Sequence, residues 1–318
     1  MQSSTAAPSA DLLHRLFAPQ RLSIGLSLPL LAEGNIVADF SAQIALAKHA
    51  DELGFAALWV RDVPLNSADY PDPVGHLDPW VLLGALASHT QRIALISGAI
   101  VLTLRHPLHI AKGAVSVNTL SGGRFILGLG SGDRPPEYAA FGQDATERRK
   151  TYARNWDVVA AALAEHPKVV PDQTPEHAPD FFLLPTPDTT TPMLAVGSGG
   201  QSVDWIARNA IGWMTYHREP EQQRARYNMW RAAVDRATPG AFKMFGTAMR
   251  LELSDDPEAA PTPIDLGYRT GSKGLVEVLK EMRASGTHHV TLNLSGVRRP
   301  LQDVLGELAE HVLPAFHT

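Results

Sequence analysis

Short apolar runs alternate along the chain with stretches carrying an apolar residue every three or four positions. The runs, at 22–30, 56–60, 93–102, 125–129, 193–197, 212–216, 242–253 and 288–294, have the length and continuous apolar character of strands buried on both faces. Between them lie helical patterns. In the first, Phe40, Ile44 and Ala47, with Leu46, Ala50 and Leu53, make one apolar face; Asp39 is placed to cap its start and Gly54 to end it. Asp78 and Pro79 open the second, the proline standing in the first turn where no amide donor is missed. Pro107 opens the third, which Ser121, Gly122 and Gly123 stop. The run from Asp144 to Glu147 resembles a capping box for a helix reaching about residue 165. Further helices are predicted over 201–209, 219–236, 273–284 and 301–313, with a short one over 12–17.

Eight strands alternating with helices through right-handed crossovers predict a parallel sheet. Such a sheet closes most economically into a (β/α)8 TIM barrel, with a doubly wound open sheet as the alternative. Two stretches interrupt the alternation: 167–192, proline-rich and too long for an ordinary connection, and a second proline-rich insertion at 255–263. The predicted fold is therefore an α/β barrel with one irregular insertion before strand five and another between strands seven and eight. Residues 1–10, small and polar, are expected to be disordered, and 11–318 to form a single domain.

Composition narrows the chemistry. A formal charge of −5 and a pI near 6.2 argue against a nucleic-acid partner. The absence of cysteine excludes disulfides, thiolate metal sites and cysteine nucleophiles. The amino-terminal stretch lacks a basic start followed by an apolar core, and no apolar run approaches the ~20 residues of a membrane span. A cytoplasmic protein without a membrane partner is expected.

In barrels of this kind chemistry sits on the loops that leave the carboxyl ends of the strands. Those loops carry Arg61 and Asp62 after strand two, and Thr103, Arg105 and His106 after strand three. Ser131, Asp133, Arg134, Glu137 and Tyr138 follow strand four, and Tyr216, His217 and Arg218 follow strand six. After strand five comes Gly197-Ser-Gly-Gly-Gln-Ser202, three glycines and two serines just before a helix, a pattern that frees amides and hydroxyls to cradle a phosphate or serves as a flexible turn. It has neither the Gly-Lys-Ser/Thr of a P-loop nor the Rossmann spacing. Arg61 and Asp62 read either as a site or as an ion pair at the barrel mouth. His106 reads as a helix cap, and His217 as an acid–base or substrate-contact candidate pointing to the mouth. Thirteen histidines form no His-Glu-x-x-His motif, so no metal is expected. Asp62, Asp133 and Glu137 leave a carboxylate-pair hydrolase open.

The motifs GFAALWVRDVPL, LDPWVLLGALASHTQRIAL, LRHPLHIAKGAVSVNTLSGGR, SGDRPPEYAAFG, GSGGQSVDWIA and HHVTLNLSGVRRP, in this order on eight predicted strands, resemble the bacterial luciferase-like flavin monooxygenase family, within it the small single-chain oxidoreductases. The resemblance implies a dimeric (β/α)8 barrel that binds flavin mononucleotide (FMN) at its carboxyl face. It places the phosphate by Ser131, Gly132 and Arg134 and by Gly197, Ser198, Gly199, Gly200, Gln201 and Ser202. The flavin ring would rest, near Thr103, on a strand-three bulge at Gly98 and Ala99 with a non-proline cis peptide, and 167–192 would be the mobile lid. Two departures matter. Where luciferase itself has a catalytic histidine after strand two, this chain has Arg61-Asp62-Val63, and Ser131 stands where luciferase has a phosphate-binding arginine; Arg134, three residues on, is the proposed replacement. The expected activity is a monooxygenase using reduced FMN from a separate reductase and O2 on a small organic substrate, with Asp62, Tyr138 and His217 orienting substrate and handling the proton. Alternatives are a hydride-transferring oxidoreductase using the deazaflavin coenzyme, and a flavin-binding protein without turnover.

Overall fold

The structure, a computed structural model, describes residues 8–67, 70, 73–164, 182–185, 190–294 and 296–317. In chain order its elements are α1 (Pro8–Leu16), β1 (Ser23–Leu28), α2 (Phe40–Leu53), β2 (Ala57–Val60), α3 (Pro79–His89), β3 (Ala94–Ser97), β4 (Ile100–Val101), α4 (Pro107–Leu120), β5 (Phe125–Gly130), α5 (Pro135–Ala140) and α6 (Arg148–Ala162). Then follow β6 (Met193–Val196), α7 (Val203–Asn209), β7 (Gly212–Tyr216), α8 (Pro220–Ala237), β8 (Met244–Leu253), β9 (Thr262–Ile264), β10 (Gly267–Thr270), α9 (Ser272–Ala284), β11 (His289–Leu294) and α10 (Leu301–His311). Strands β1, β2, β3, β5, β6, β7, β8 and β11 form an all-parallel barrel, closed where β11 pairs with both β1 and β8. This is the (β/α)8 architecture expected from the sequence.

Capping explains the helix starts. The Asp39 carboxylate accepts the amides of Ser41 and Ala42, Asp78 accepts that of Trp80, and Gly54 closes α2 at φ 89°. His106, as expected, accepts the Leu108 amide at the start of α4. Several boundaries differ from expectation. The expected strand over 93–102 is two pieces, β3 and β4, separated at Gly98 and Ala99. Helix α1 begins at Pro8, inside the expected tail; the rest of that tail lies outside the described residues. Asp144 caps a single 3-10 turn, after which α6 ends at Ala162. The second insertion runs into the β9–β10 hairpin, where β10 extends the sheet beside β8. The first lies mostly outside the described residues, but Leu184 within it accepts a hydrogen bond from the Lys112 ammonium on α4.

The strand period of two sorts side chains between two cores. Leu58, Val60, Leu95, Phe125, Leu127, Leu129, Trp213 and Phe245 face the helices. Ala57, Trp59, Ala94, Ile96, Ile126, Leu194, Met214 and Met244 face the barrel interior, where Leu12, Leu16 and Phe17 of the α1 segment stopper the amino-terminal end. Below the strands, buried Arg124 ties three segments together. Its guanidinium donates to the carbonyls of Ala87, Thr90, Ile93 and Ser121 and to the Thr90 hydroxyl, at 2.7–3.2 Å. Arg124→Met would leave those carbonyls buried without donors, and is expected to lower unfolding free energy by roughly 3 kcal/mol. Urea denaturation checks this; an unchanged midpoint would show that water replaces the guanidinium.

Candidate active site

The interior carries a polar chain that sets its geometry. The Trp59 indole N–H donates to Nε2 of His289 at 2.9 Å, leaving the ring proton on Nδ1, which faces the Ser23 hydroxyl at 2.7 Å. Ser23 in turn donates to the Leu16 carbonyl. His289 stacks on Trp59 and takes the edge of Phe17. Burial pushes its pKa down to about 3, so it stays neutral. Above it the Trp59 ring occupies the space a side chain at residue 98 would need: a Cβ on Gly98 would lie 2.5 Å from Trp59 Cε3. Glycine is required there for close approach. The Gly98–Ala99 peptide is cis, as the family resemblance implies.

Beside this bulge the strand-end loops converge. Asp62, almost wholly buried, accepts the Val101 amide at 3.0 Å and two hydrogen bonds from Arg105 at 2.8 Å, and Arg105 also pairs with Asp78. Burial disfavours the Arg105 charge, but the hydrogen bonds and charges of Asp62 and Asp78 outweigh it and raise its pKa. Asp62 is thus tied to the backbone of the bulge. Thr103 and Tyr138 hydrogen-bond each other at 2.8 Å, and both reach the Ser131 carbonyl. Tyr138 comes from α5, a helix not expected from the sequence, whose first two residues are prolines. Burial raises its phenol pKa, against the opposing effect of the Thr103 hydrogen bond.

Arg134 is engaged by the loop after β2: it donates to the Leu65 carbonyl at 2.7 Å and lies 3.5 Å over the Tyr70 ring. Glu137, also buried, lies 3.9 Å from Arg134, and burial raises its pKa against that positive charge. The two residues therefore fasten one loop of the mouth to another.

The loop after β6 turns through positive φ at Gly197, Gly199 and Gly200. Gly199 packs against Tyr152 and Gly200 against Arg149, both on α6, whereas the space beside Gly197 is open. Ser202 caps α7 through Trp205, and Gln201 donates to the carbonyl of Arg149. Among the described residues, no protein acceptor engages the amides of Ser198, Gly199 or Ser202. Two cations missed by sequence reasoning lie on α6: Arg149 borders this loop beside Gly200, and the charge of Arg148 reaches Tyr138. Neither has a carboxylate within ion-pair distance among the described residues, although both stand at the positive end of a 15-residue helix. A basic pair placed against the helix dipole was the available signal.

One expectation needs correction. His217 does not open to the mouth. Counting from inward-facing Met214, the strand period turns Tyr216 inward, half exposed, and His217 outward. There His217 packs edge-on against Tyr268 at 5.2 Å, in a cleft shared with Gln223 and Ser285. Among the described residues neither of its nitrogens has a hydrogen-bond partner. Among the described residues no group of His, Asp and Glu could hold a metal ion.

The comparisons with known proteins agree with this geometry. The family model for luciferase-like monooxygenases matches residues 16–288, and the chain belongs to that family. It is 31% identical over 142 residues to the 4-hydroxyprotoasukamycin monooxygenase of Streptomyces nodosus subsp. asukaensis, covering 44% of this chain and 35%, about a third, of that relative's length. The fold is shared with the monooxygenase RslO1 from Streptomyces bottropensis (TM-score 0.75, 20% identity, 92% of this chain and 99% of that one). It is shared equally with an F420-dependent secondary alcohol dehydrogenase solved with an F420-acetone adduct (TM-score 0.75, 15% identity, 94% and 100%).

Buried histidines give the fold an acid limit. Burial lowers His217 and His288 to about 4 and His289 to about 3, below the ~6.5 of an unfolded chain. The unfolded state then binds more protons between pH ~6.5 and these values, so their contribution is complete above pH ~6.5 and is lost as pH falls through the folded pKa values. His217→Leu is expected to flatten the pH dependence of the urea midpoint between these limits by about one proton, ~1.4 kcal/mol per pH unit. An unchanged slope would mean that His217 is hydrated and titrates normally.

Proposed function

We propose that the protein is a flavin-dependent monooxygenase that takes up reduced FMN and O2 and acts on a small organic substrate. The observation carrying this reading is the loop after β6, where the amides of Ser198, Gly199 and Ser202 have no protein acceptor among the described residues and Arg149, without an ion-pair partner among them, stands beside Gly200. Those donors fit a phosphate monoester. The strand ends beside it are built of small residues, packed so closely that a Cβ on Gly130 would lie 3.1 Å from that of Ala99.

In this reading Ser198, Ser202 and the Gly199 amide hold the phosphate, with Arg148 and Arg149 supplying its counter-charge. Gly98, Ala99, Thr103, Ser131 and Gly132 border the ring; Gly197, Gly200 and Gln201 shape the phosphate loop. When bound, reduced FMN supplies the electrons and the site of oxygen activation. Asp62 and Arg105 hold the bulge in place. Tyr138, which keeps its proton at neutral pH, offers a hydroxyl to substrate beside Thr103, and Tyr216 contacts substrate at the rim. Arg134 holds the mouth loops together. A separate flavin reductase and a homodimer belong to the same proposal, on the strength of the family resemblance.

A second reading, hydride transfer with the deazaflavin coenzyme, is favoured by one observation. The basic pair Arg148 and Arg149 at the start of α6 gives an acidic coenzyme tail more positive charge than the strand-end loops alone offered. Titration with reduced FMN and, separately, the deazaflavin decides between the readings: FMN binding with slowed peroxide release in air supports the first, and exclusive binding of the deazaflavin supports the second. Flavin binding without turnover of any substrate would mark a binding protein. Arg149→Ala is expected to weaken FMN about tenfold while leaving riboflavin, which lacks the phosphate, unchanged. Equal loss for both would place the arginine elsewhere than at the phosphate.

A further inference from the structure

The interior faces of β1 and β11 carry a second set of polar side chains, nearer the mouth than the Trp59–His289–Ser23 chain. Ser23 and His289 are paired in register and meet inside the barrel. The strand period of two therefore turns Gly25 and Ser27 inward on β1, and Thr291 and Asn293 inward on β11. Neighbouring strands agree: Thr291 pairs with inward-facing Ala248, and Ser27 with inward-facing Trp59.

Each of these two six-residue strands has one member that is not buried, Ser27 on β1 and Asn293 on β11. Both face inward and stand closest to the carboxyl end, so their exposure is to the barrel mouth. Among the described residues neither side chain has a hydrogen-bond partner. Thr291, one step below and only 3% exposed, carries a hydroxyl that is likewise without one. The rim residue Tyr216 shares its row, since Tyr216 pairs with Ala248 and Ala248 with Thr291. The strip itself is uncharged, and its charged neighbour in register, Arg250 beside Asn293, pairs with Glu252 at 3.2 Å. Strand order sets it apart from the phosphate loop: β1 stands four strands from β6, directly across the barrel.

We infer that Ser27, Thr291 and Asn293 are specificity-determining substrate contacts, and that the substrate is an uncharged molecule bearing a carbonyl or hydroxyl oxygen. The Asn293 amide donates to that oxygen, and the hydroxyls of Ser27 and Thr291 donate or accept as it requires. A site built to hydrogen-bond an oxygen rejects analogues that leave its polar groups unpaired. An ionised group on this strip would exchange water for neutral partners alone, which is costly. The inference rests on the flavin reading for the location of the site, and not on which coenzyme fills it.

Calorimetric titration of the FMN-loaded protein with cyclohexanone, cyclohexanol, cyclohexanecarboxylate and cyclohexylammonium tests it. One saturable site is expected for the ketone and the alcohol, with both ions weaker by about tenfold or more. Asn293→Asp keeps the size and an acceptor but removes the donors. It should weaken the ketone, which only accepts, about tenfold, and leave the alcohol, which can also donate, within about twofold. Ser27→Ala should weaken both about fivefold and serves as the test should Asn293→Asp fail to fold. FMN binding should be unchanged in both variants. Failure of FMN to bind would count against the flavin reading alone, and the same titrations on the flavin-free protein would then decide this inference. Absence of saturable ketone or alcohol binding, ions bound as well as either, or equal effects of Asn293→Asp on ketone and alcohol would overturn it.

Discussion

The hydrogen bond from Trp59 to His289 is the constraint on which the rest of the barrel interior depends. A TIM barrel fills its centre with layered side chains, commonly branched aliphatics. Here an indole lies across the centre, and an indole buried without a partner for its N–H is costly. His289 supplies the acceptor, and its own second nitrogen is satisfied by Ser23, which passes the chain to the Leu16 carbonyl of α1. Each member fixes the next, so the ring is held at one height. The residue above it must be glycine, and Gly98 marks the break between β3 and β4. The bulge at the carboxyl face is thus set from below by an interior network that begins at the stopper helix.

The same bulge is set from the side by Asp62. Its carboxylate binds the Val101 amide just past the break and is clamped by Arg105, which Asp78 holds from the start of α3. A buried carboxylate whose oxygens meet an amide and a guanidinium is a structural strut; the groups left to meet a ligand are those whose donors stay uncommitted. By that criterion the chemistry shifts toward the α6 arginines and the amides of the loop after β6. Arg134 and Glu137 close the opposite side of the mouth by fastening the loops after β2 and β5.

Much of the fold was legible because local signals and burial agreed. Asp39, Asp78 and His106 cap the helices they precede, and the glycine-and-serine loop after β6 is a turn bordering α6. Signals failed where tertiary contact decides. The pair Pro135-Pro136 looks like a loop, yet proline is welcome in a helix's first turn, and α5 forms. His217 was read by its position at a strand end and not by its parity; the inward slot belongs to Tyr216. The Asp62 partner lies forty-odd residues away, at Arg105, and no spacing rule reaches that far. Arg148 and Arg149 look like ordinary solvent-facing charges until the loop after β6 is seen packing against their helix.

The charge distribution separates the two ends of the barrel by cause. At the carboxyl face Asp62 and Asp78 hold Arg105, Glu137 lies beside Arg134 and Asp133 accepts from Tyr70, so the carboxylates there act as struts between loops. At the amino-terminal face the Asp51 carboxylate accepts the amides of Gln91, Arg92 and Ile93, Arg92 donates to the Asp51 main-chain carbonyl, and Arg15 meets Asp11. A guanidinium bonded to carbonyls keeps its full charge, since a carbonyl supplies a dipole and no counter-ion. The chain as a whole carries a net charge of −5, and Arg148 and Arg149, with no carboxylate within ion-pair distance among the described residues, are a local exception to that sign.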